Sequence, residues 1–510
     1  MSHPDAGKST MTEALALHAR AIGEAGVTHG KAGRRATVSD WMDMEQERGI
    51  SIASTALQFE YRDHIVNLVD TPGHADFSED TYRVLSAVDF AVMILDAAKG
   101  LEPQTLKLFN VCHRSGIPVI TVVNKWDRPG MDPLELLDEI EQRIKIVPTP
   151  VTWPIGIAGE FHGVIDRRRD TAVAYTRTAG GATRAGEDDL TADEAAQRFG
   201  VDHADALEGV ELLESGGHTH DHDRFLAGET TPVLFTSGAL NLGVHPLLDC
   251  IVELGPAPRP RPAVGGGRRE VDDDFSAVVF KVQAGMDSNH RDHVAFARVC
   301  SGVFERGVVV THAQSGRPFA TKYALSMFGR DRETADQAYP GDVIGLVNAS
   351  HLAIGDTLHA GDPVTFPPIP KFAPEHFAVI SARDPSRYKQ FRRGIEHLDR
   401  EGVVQVLRSP ARGDQAPVLA AVGPMQFEVV THRLLREFST ETRLDHLPYT
   451  MARSFDPTFR EDLAGHRGAE TFTRSDGTDL ILFTDRWRMQ SIAREVPHAT
   501  LETLAADADA

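Results

Sequence analysis

The chain opens with "MSHPDAGKST" at residues 1–10. A G-x4-G-K-[ST] loop turns consecutive backbone N–H groups inward, onto phosphate oxygens. Residues 2–9 fit that form except at the first position, where Ser2 replaces glycine. In this reading Ser2, His3, Pro4, Asp5, Ala6 and Gly7 form the cradle. Lys8 adds a point charge on the outer phosphates, Ser9 offers a hydroxyl to Mg2+, and Thr10 follows in the first helical turn. Asp5 has two readings, a monovalent-cation ligand or the cap of a turn. Apolar residues at Met11, Leu15, Ala19 and Ile22 predict a helix whose N-terminus faces the phosphates. Such a loop normally hangs between a strand and a helix. Here it begins at Met1, so the reading expects a loop tethered on its helix side only. It also expects a free ammonium at the loop mouth and a weakened site.

Four later stretches carry the same theme. "HIVNLVD", "DFAVMILDA", "IPVITVVNKWD" and "TPVLFTSGA" are short β-branched runs, as in a parallel sheet covered on both faces. Helices are predicted between them, one starting at the capping pair Asp132-Pro133. Ligands of open α/β sheets bind beyond the carboxyl ends of the strands. Asp70, Asp96, residues 124–127 and Ser237 should therefore gather along one edge.

"DTPGH" at 70–74 places Asp70 to hold a Mg2+-bound water, with Thr71 and Pro72 in the turn. Gly73 can bring a backbone N–H close to a γ-phosphate, and His74 can reach an attacking water. "NKWD" supplies Asn124, Lys125 and Asp127. A carboxylate at Asp127 can accept from guanine N1–H and the 2-amino group. Adenine offers neither donor, so ATP should be rejected. Asn124 is expected on the base edge and the loop, and the Lys125 stem over the flat face of the base. Ser237 and Gly238, in "TSGAL", are expected at guanine O6. "ERGISIAST" at 47–55 lies between the first two motifs. Ser51 there is the candidate hydroxyl that reaches Mg2+ only when GTP is bound. Four elements in this order on strand and helix ends predict a guanine-nucleotide site.

The 510 residues suggest about three domains. A GTP-binding α/β domain is expected over 1–255, with an insert at about 151–230. A Pro/Gly/charge-rich linker at 256–274 leads to a β-barrel over 275–366, and an α+β domain is expected over 372–510. Within the insert, 178–191 reads as a loop. The net charge of -21 excludes nucleic-acid binding by a general positive field; any RNA contact needs a specific surface. Three scattered cysteines argue against a disulfide framework. No apolar run is long enough for a membrane span, so a cytoplasmic monomer is expected. "GGHTHDHD" at 216–223 could bind a metal or be a solvated loop. "RRR" at 167–169 and "RPRP" at 259–262 could touch RNA or be a turn and a linker.

In this order the motifs resemble the translational GTPases, and most closely the peptide chain release factor 3 family. The resemblance rests on residues 2–8, "SDWMDMEQERGISI" at 39–52, "LVDTPGHADFSEDTYR" at 68–83, "ILDAAKG" at 94–100, "FLAGETTPV" at 225–233, "MDSNHRDHVAFARV" at 286–299, "AYPGD" at 338–342 and "FAPEHF" at 372–377. It implies a GTPase that binds the bacterial 70S ribosome after peptide release. With GTP and Mg2+ bound it would drive off class I release factors, then hydrolyse GTP to GDP and leave, with rRNA placing His74 on the water. Trp126 stands where the family usually has Leu or Met, and Gly238 where alanine is usual; Trp126 is expected to point away from the base. Two rivals remain in view: another ribosomal GTPase of rescue or resistance, and a non-hydrolysing ribosome-binding protein that lacks the first strand.

Overall fold

The computed structural model describes residues 1–22, 45, 51–176, 183–284, 293–328, 331–347, 349, 351–409, 412–413 and 416–504. Parts of the motifs at 39–52 and 286–299 lie outside these residues. Four parallel strands form the first sheet, in the order Ala91–Asp96, Val119–Asn124, Thr230–Phe235, Val147–Pro150. The runs "VITVVN" and "TTPVLF" are buried at every residue, as strands covered on both faces must be. The helices Lys8–His18 and Val244–Leu254 pack on one face through Met11, Leu15, Leu247 and Leu248. The helices Pro103–Arg114 and Pro133–Ile144 cover the other through Leu108, Phe109 and Ile140. Asp132 caps the latter, accepting from the Leu134 and Glu135 N–H groups. This doubly wound arrangement brings Asp96, Asn124 and Ser237 to one sheet edge.

The strand His64–Asp70 departs from the sequence reading. It is half exposed and pairs antiparallel with Thr55–Tyr61, not within the parallel sheet. Its alternate residues face different neighbours. Val66 and Leu68 pack towards the first helix, while Val69 joins Phe280 and Phe296 of the β segment. Asn67 donates to Asp342 at 2.9 Å. The hairpin thus extends the ten-stranded β sheet, through Leu57 opposite Phe328.

Met1 also differs from expectation. Its ammonium donates to Val92 O at 2.7 Å, and its carbonyl accepts from Ile94 N at 2.9 Å. The loop is therefore held on the edge of the Ala91–Asp96 strand as well as by its helix. The ammonium is buried, not free at the mouth; burial pushes it down to about 5.

The insert contains an antiparallel sheet of Thr152–Ile155, Gly163–Asp166, Thr171–Thr176 and Gly186–Leu190. The last strand falls in the stretch read as a loop. Its sequence GEDDL has no apolar alternation because it is an exposed edge strand. The three arginines at 167–169 make internal contacts. Arg167 donates to Pro150 O, Arg168 pairs with Glu253, and Arg169 with Asp166. Asp221 caps the helix His222–Leu226, and His218 donates to Pro148 O. In the linker, Arg261 donates to Ser86 O at 2.7 Å, strapping it to the first segment.

The strands from Ser276 to His359 surround a core of Val279, Ala295, Val299, Phe304 and Leu346. After the second break, seven antiparallel strands carry the helices Tyr388–Arg400 and Met425–Phe438 on a shared core. Among the described residues no helix is long and apolar enough to cross a membrane.

Candidate guanine-nucleotide site

The helix Lys8–His18 begins at Gly7 with no side-chain cap and no acidic residue in its first turn. Its first N–H groups and positive dipole end are thus available to an anion. Gly7 takes φ 97°, and a Cβ there would stand 2.6 Å from Asn124 Nδ2. Ser2, His3 and Ala6 are buried, Pro4 and Thr10 half-buried, and Asp5 is exposed in a left-handed conformation. Burial pushes the His3 imidazole down to about 4, so it is neutral at pH 7. The Lys8 amine folds back over the loop, donating to Ser2 Oγ and His3 O, each at 3.0 Å.

Gly73 closes on the same amine. A Cβ there would lie 2.1 Å from Lys8 Nζ and 3.2 Å from Pro4 Cα, so any side chain at 73 would displace the amine from this position. Thr71 is buried, and its hydroxyl has no partner among the described residues. Ser9 and Ser51 bring their hydroxyls within 3.2 Å, and Asp70 is buried at the end of its strand. These are oxygen ligands of the kind Mg2+ takes.

Asn124 is a brace. Its Nδ2 donates to Ala6 O at 2.8 Å, and its Oδ1 accepts from Gly238 N at 2.9 Å and Thr236 Oγ1 at 3.2 Å. These bonds join the phosphate loop to the 236–238 loop, and the second Nδ2 hydrogen is left over for the expected contact with the base edge. Lys125, at φ 67°, donates to Asp96 Oδ2 at 2.8 Å. Burial raises the Asp96 carboxyl. The hydrogen bonds from Lys125 and the Ala98 N–H outweigh that and hold it below the usual carboxylate range.

Asp127 fits a guanine acceptor. Its Oδ1 is buried with no partner among the described residues, and Arg128 Nε approaches Oδ2 only to 3.8 Å. A buried carboxylate oxygen of this kind needs donors, which guanine N1–H and the 2-amino group supply. Trp126 turns into the core. It is fully buried against Phe235, with ring centroids 4.7 Å apart, and Nε1 donates to Gly156 O. Ser237 Oγ is also buried without a partner among the described residues. The Ser237 and Gly238 N–H groups, expected at guanine O6, are used by Leu242 O and Asn124 Oδ1. Ala239, whose N–H is another backbone donor of the same "TSGAL" stretch, follows in that turn.

His74 does not join this group. Its Nδ1 accepts from Asp76 N at 3.3 Å, capping its own turn Ala75–Phe77. Thr236 and Asp76 have structural tasks here and carried no assigned role in the sequence, while Asp96, expected on this edge, holds Lys125. Their signal was position alone, at strand ends or beside a motif.

Residues 1–257 match the family model of the elongation factor Tu GTP binding domain. Residues 274–361 match elongation factor G domain 2, and 366–493 match the class II release factor RF3 C-terminal domain. The peptide chain release factor 3 of Gloeobacter violaceus is 46% identical, over 99% of this chain and 96% of its own. That of Microcystis aeruginosa is 44% identical over 99% and 94%, and that of Symbiobacterium thermophilum 43% over 98% and 95%. A crystal structure of a Thermus thermophilus protein shares the fold at TM-score 0.71 and 21% identity, over 94% of this chain and 71% of its own.

Proposed function

The chain belongs to the peptide chain release factor 3 family, translational GTPases of termination, and from that premise we propose that it hydrolyses GTP on the bacterial 70S ribosome and drives class I release factors off it. The observation that carries the nucleotide reading is the buried, unpartnered Asp127 Oδ1 on the strand edge that also holds Asn124 and the phosphate loop.

Each residue has a defined task. The uncapped N–H groups of the first helix and Lys8 hold the phosphates. When nucleotide enters, Lys8 exchanges its bonds to Ser2 and His3 O for phosphate oxygens. Asp127 and the Ala239 N–H select guanine, and Ser237 lines that end. Ser9, Ser51 and Asp70 would hold Mg2+, directly or through water, and the ion would supply charge neutralisation between the outer phosphates. Gly73 brings its N–H to the γ-phosphate. His74 orients the attacking water once the ribosome has brought its ring to the γ-phosphate, so hydrolysis off the ribosome is slow. Asp5 is left with its two readings, cation ligand or turn residue. The protein acts in the cytoplasm as a monomer.

A release-complex assay tests this. GTP and the full chain should speed dissociation of a class I factor from ribosomes after peptide release. Normal GTP turnover without faster dissociation would favour a rescue or resistance factor. Absence of guanine-nucleotide binding would favour a non-hydrolysing binder.

A further inference from the structure

The turn that carries His74 is fastened to the C-terminal segment. Asp76 Oδ2 accepts from Met425 N at 2.8 Å. Met425 opens the helix Met425–Phe438, whose N-cap is Pro424 and which has no side-chain cap of its own. Asp76 thus caps that helix from 349 residues away, with its charge at the positive dipole end. The fit is close. A Cβ on Gly423 would stand 2.0 Å from Asp76 Cγ. One element along, Arg83 donates to Gly402 O at 3.2 Å, and a Cβ on Gly402 would stand 2.3 Å from Arg83 Nη1. Phe77 is buried between Ile52 and Val429.

The same Asp76 holds His74. Its N–H donates to His74 Nδ1, and its Oδ1 lies 3.2 Å from that nitrogen. While Nδ1 accepts from the Asp76 N–H, the His74 ring is committed to capping its own turn. To meet a water at the γ-phosphate, the imidazole must leave that cap.

We propose that Asp76 is a positioning residue: pinned by the N-terminus of the 425–438 helix, it retains His74 on its own turn until the C-terminal segment shifts. This rests on the reading of His74 as the group that orients water. Release of the Asp76–Met425 bond frees the turn, so a movement of the C-terminal segment on the ribosome reaches the hydrolytic centre through one hydrogen bond.

The test measures kcat and KM for GTP without ribosomes, on the full chain. Asp76→Ala removes the tie from one side. Gly423→Ala displaces the carboxylate from the other side, with the sequence of the turn unchanged. Each should raise unstimulated kcat about tenfold with KM unchanged, the yield of losing one charge-assisted hydrogen bond. Asp76→Asn keeps an oxygen for the Met425 N–H and should restore most of the restraint. Adding His74→Ala should abolish the gain. A merely structural role for Asp76 would lower kcat or raise KM instead. Unchanged or lowered kcat in both Asp76→Ala and Gly423→Ala overturns the proposal. If His74→Ala alone leaves ribosome-stimulated hydrolysis intact, the water-orienting reading fails, and the proposal falls with its premise.

Discussion

The Ser9 and Ser51 hydroxyl oxygens stand 3.2 Å apart, although 42 residues separate them. Two adjacent ligands of an octahedral Mg2+ at about 2.1 Å lie about 3 Å from each other. In the proposed reading this spacing would suit two ligands of one ion, with one hydroxyl from the helix start and one from the segment expected to switch. Ser9→Ala should weaken Mg2+-dependent binding of both GDP and GTP. Ser51→Ala should weaken that of GTP alone, by about tenfold. Mg2+ titrations of nucleotide affinity check this; equal losses for GDP and GTP in Ser51→Ala would contradict it.

In the proposed function Asp127 selects the base. Asp127→Asn replaces a carboxylate that accepts at two oxygens with an amide that can accept at one atom only. GTP affinity should fall about 10- to 100-fold. Inosine triphosphate lacks the 2-amino group, so the wild-type preference for GTP over it should shrink in the variant. Competition binding with the two nucleotides reads both effects.

Gly73→Ala should separate folding from hydrolysis. The new methyl meets the mobile end of Lys8, which can swing aside, so stability should change little. The swing takes the amine away from its place by the 70–74 turn. Hydrolysis should fall by at least about tenfold, while the unfolding midpoint stays within the error of a denaturant titration.

Acid should loosen the fold before it touches the carboxylates. Burial holds His3, His18 and His397 each at about 4, against an ordinary value of 6.5. Between those values the unfolded chain binds more protons than the folded one. Stability therefore rises with pH there, and is lost as pH falls from about 6.5 towards 4. The urea midpoint should be lower at pH 5 than at pH 7. A midpoint constant across that range would contradict the burial of these rings.

Much of the site was legible because its residues sit where strands end. The runs before Asp96, Asn124 and Ser237 announce buried parallel strands, and that periodicity is local. Most partners were not legible. The contact of Asn124 with the loop was expected from its motif, but Arg83 meets Gly402 319 residues away and Asp76 meets Met425 349 residues away; no local pattern encodes either contact. The same limit explains the His64–Asp70 strand. Its apolar run suited a covered parallel strand, but its two faces are shared between different segments. Gly186–Leu190 escaped notice because an exposed acidic edge strand has no apolar period to read.

The central claim is that this chain hydrolyses GTP through His74 under ribosomal activation. The most direct measurement is the rate of phosphate release from GTP by the full chain, with and without 70S ribosomes, for the wild type and His74→Ala. The account predicts slow release alone, a large stimulation by ribosomes, and loss of that stimulation in the variant with nucleotide affinity retained. A rate that ribosomes leave unchanged, or a stimulation that survives in His74→Ala, would contradict it.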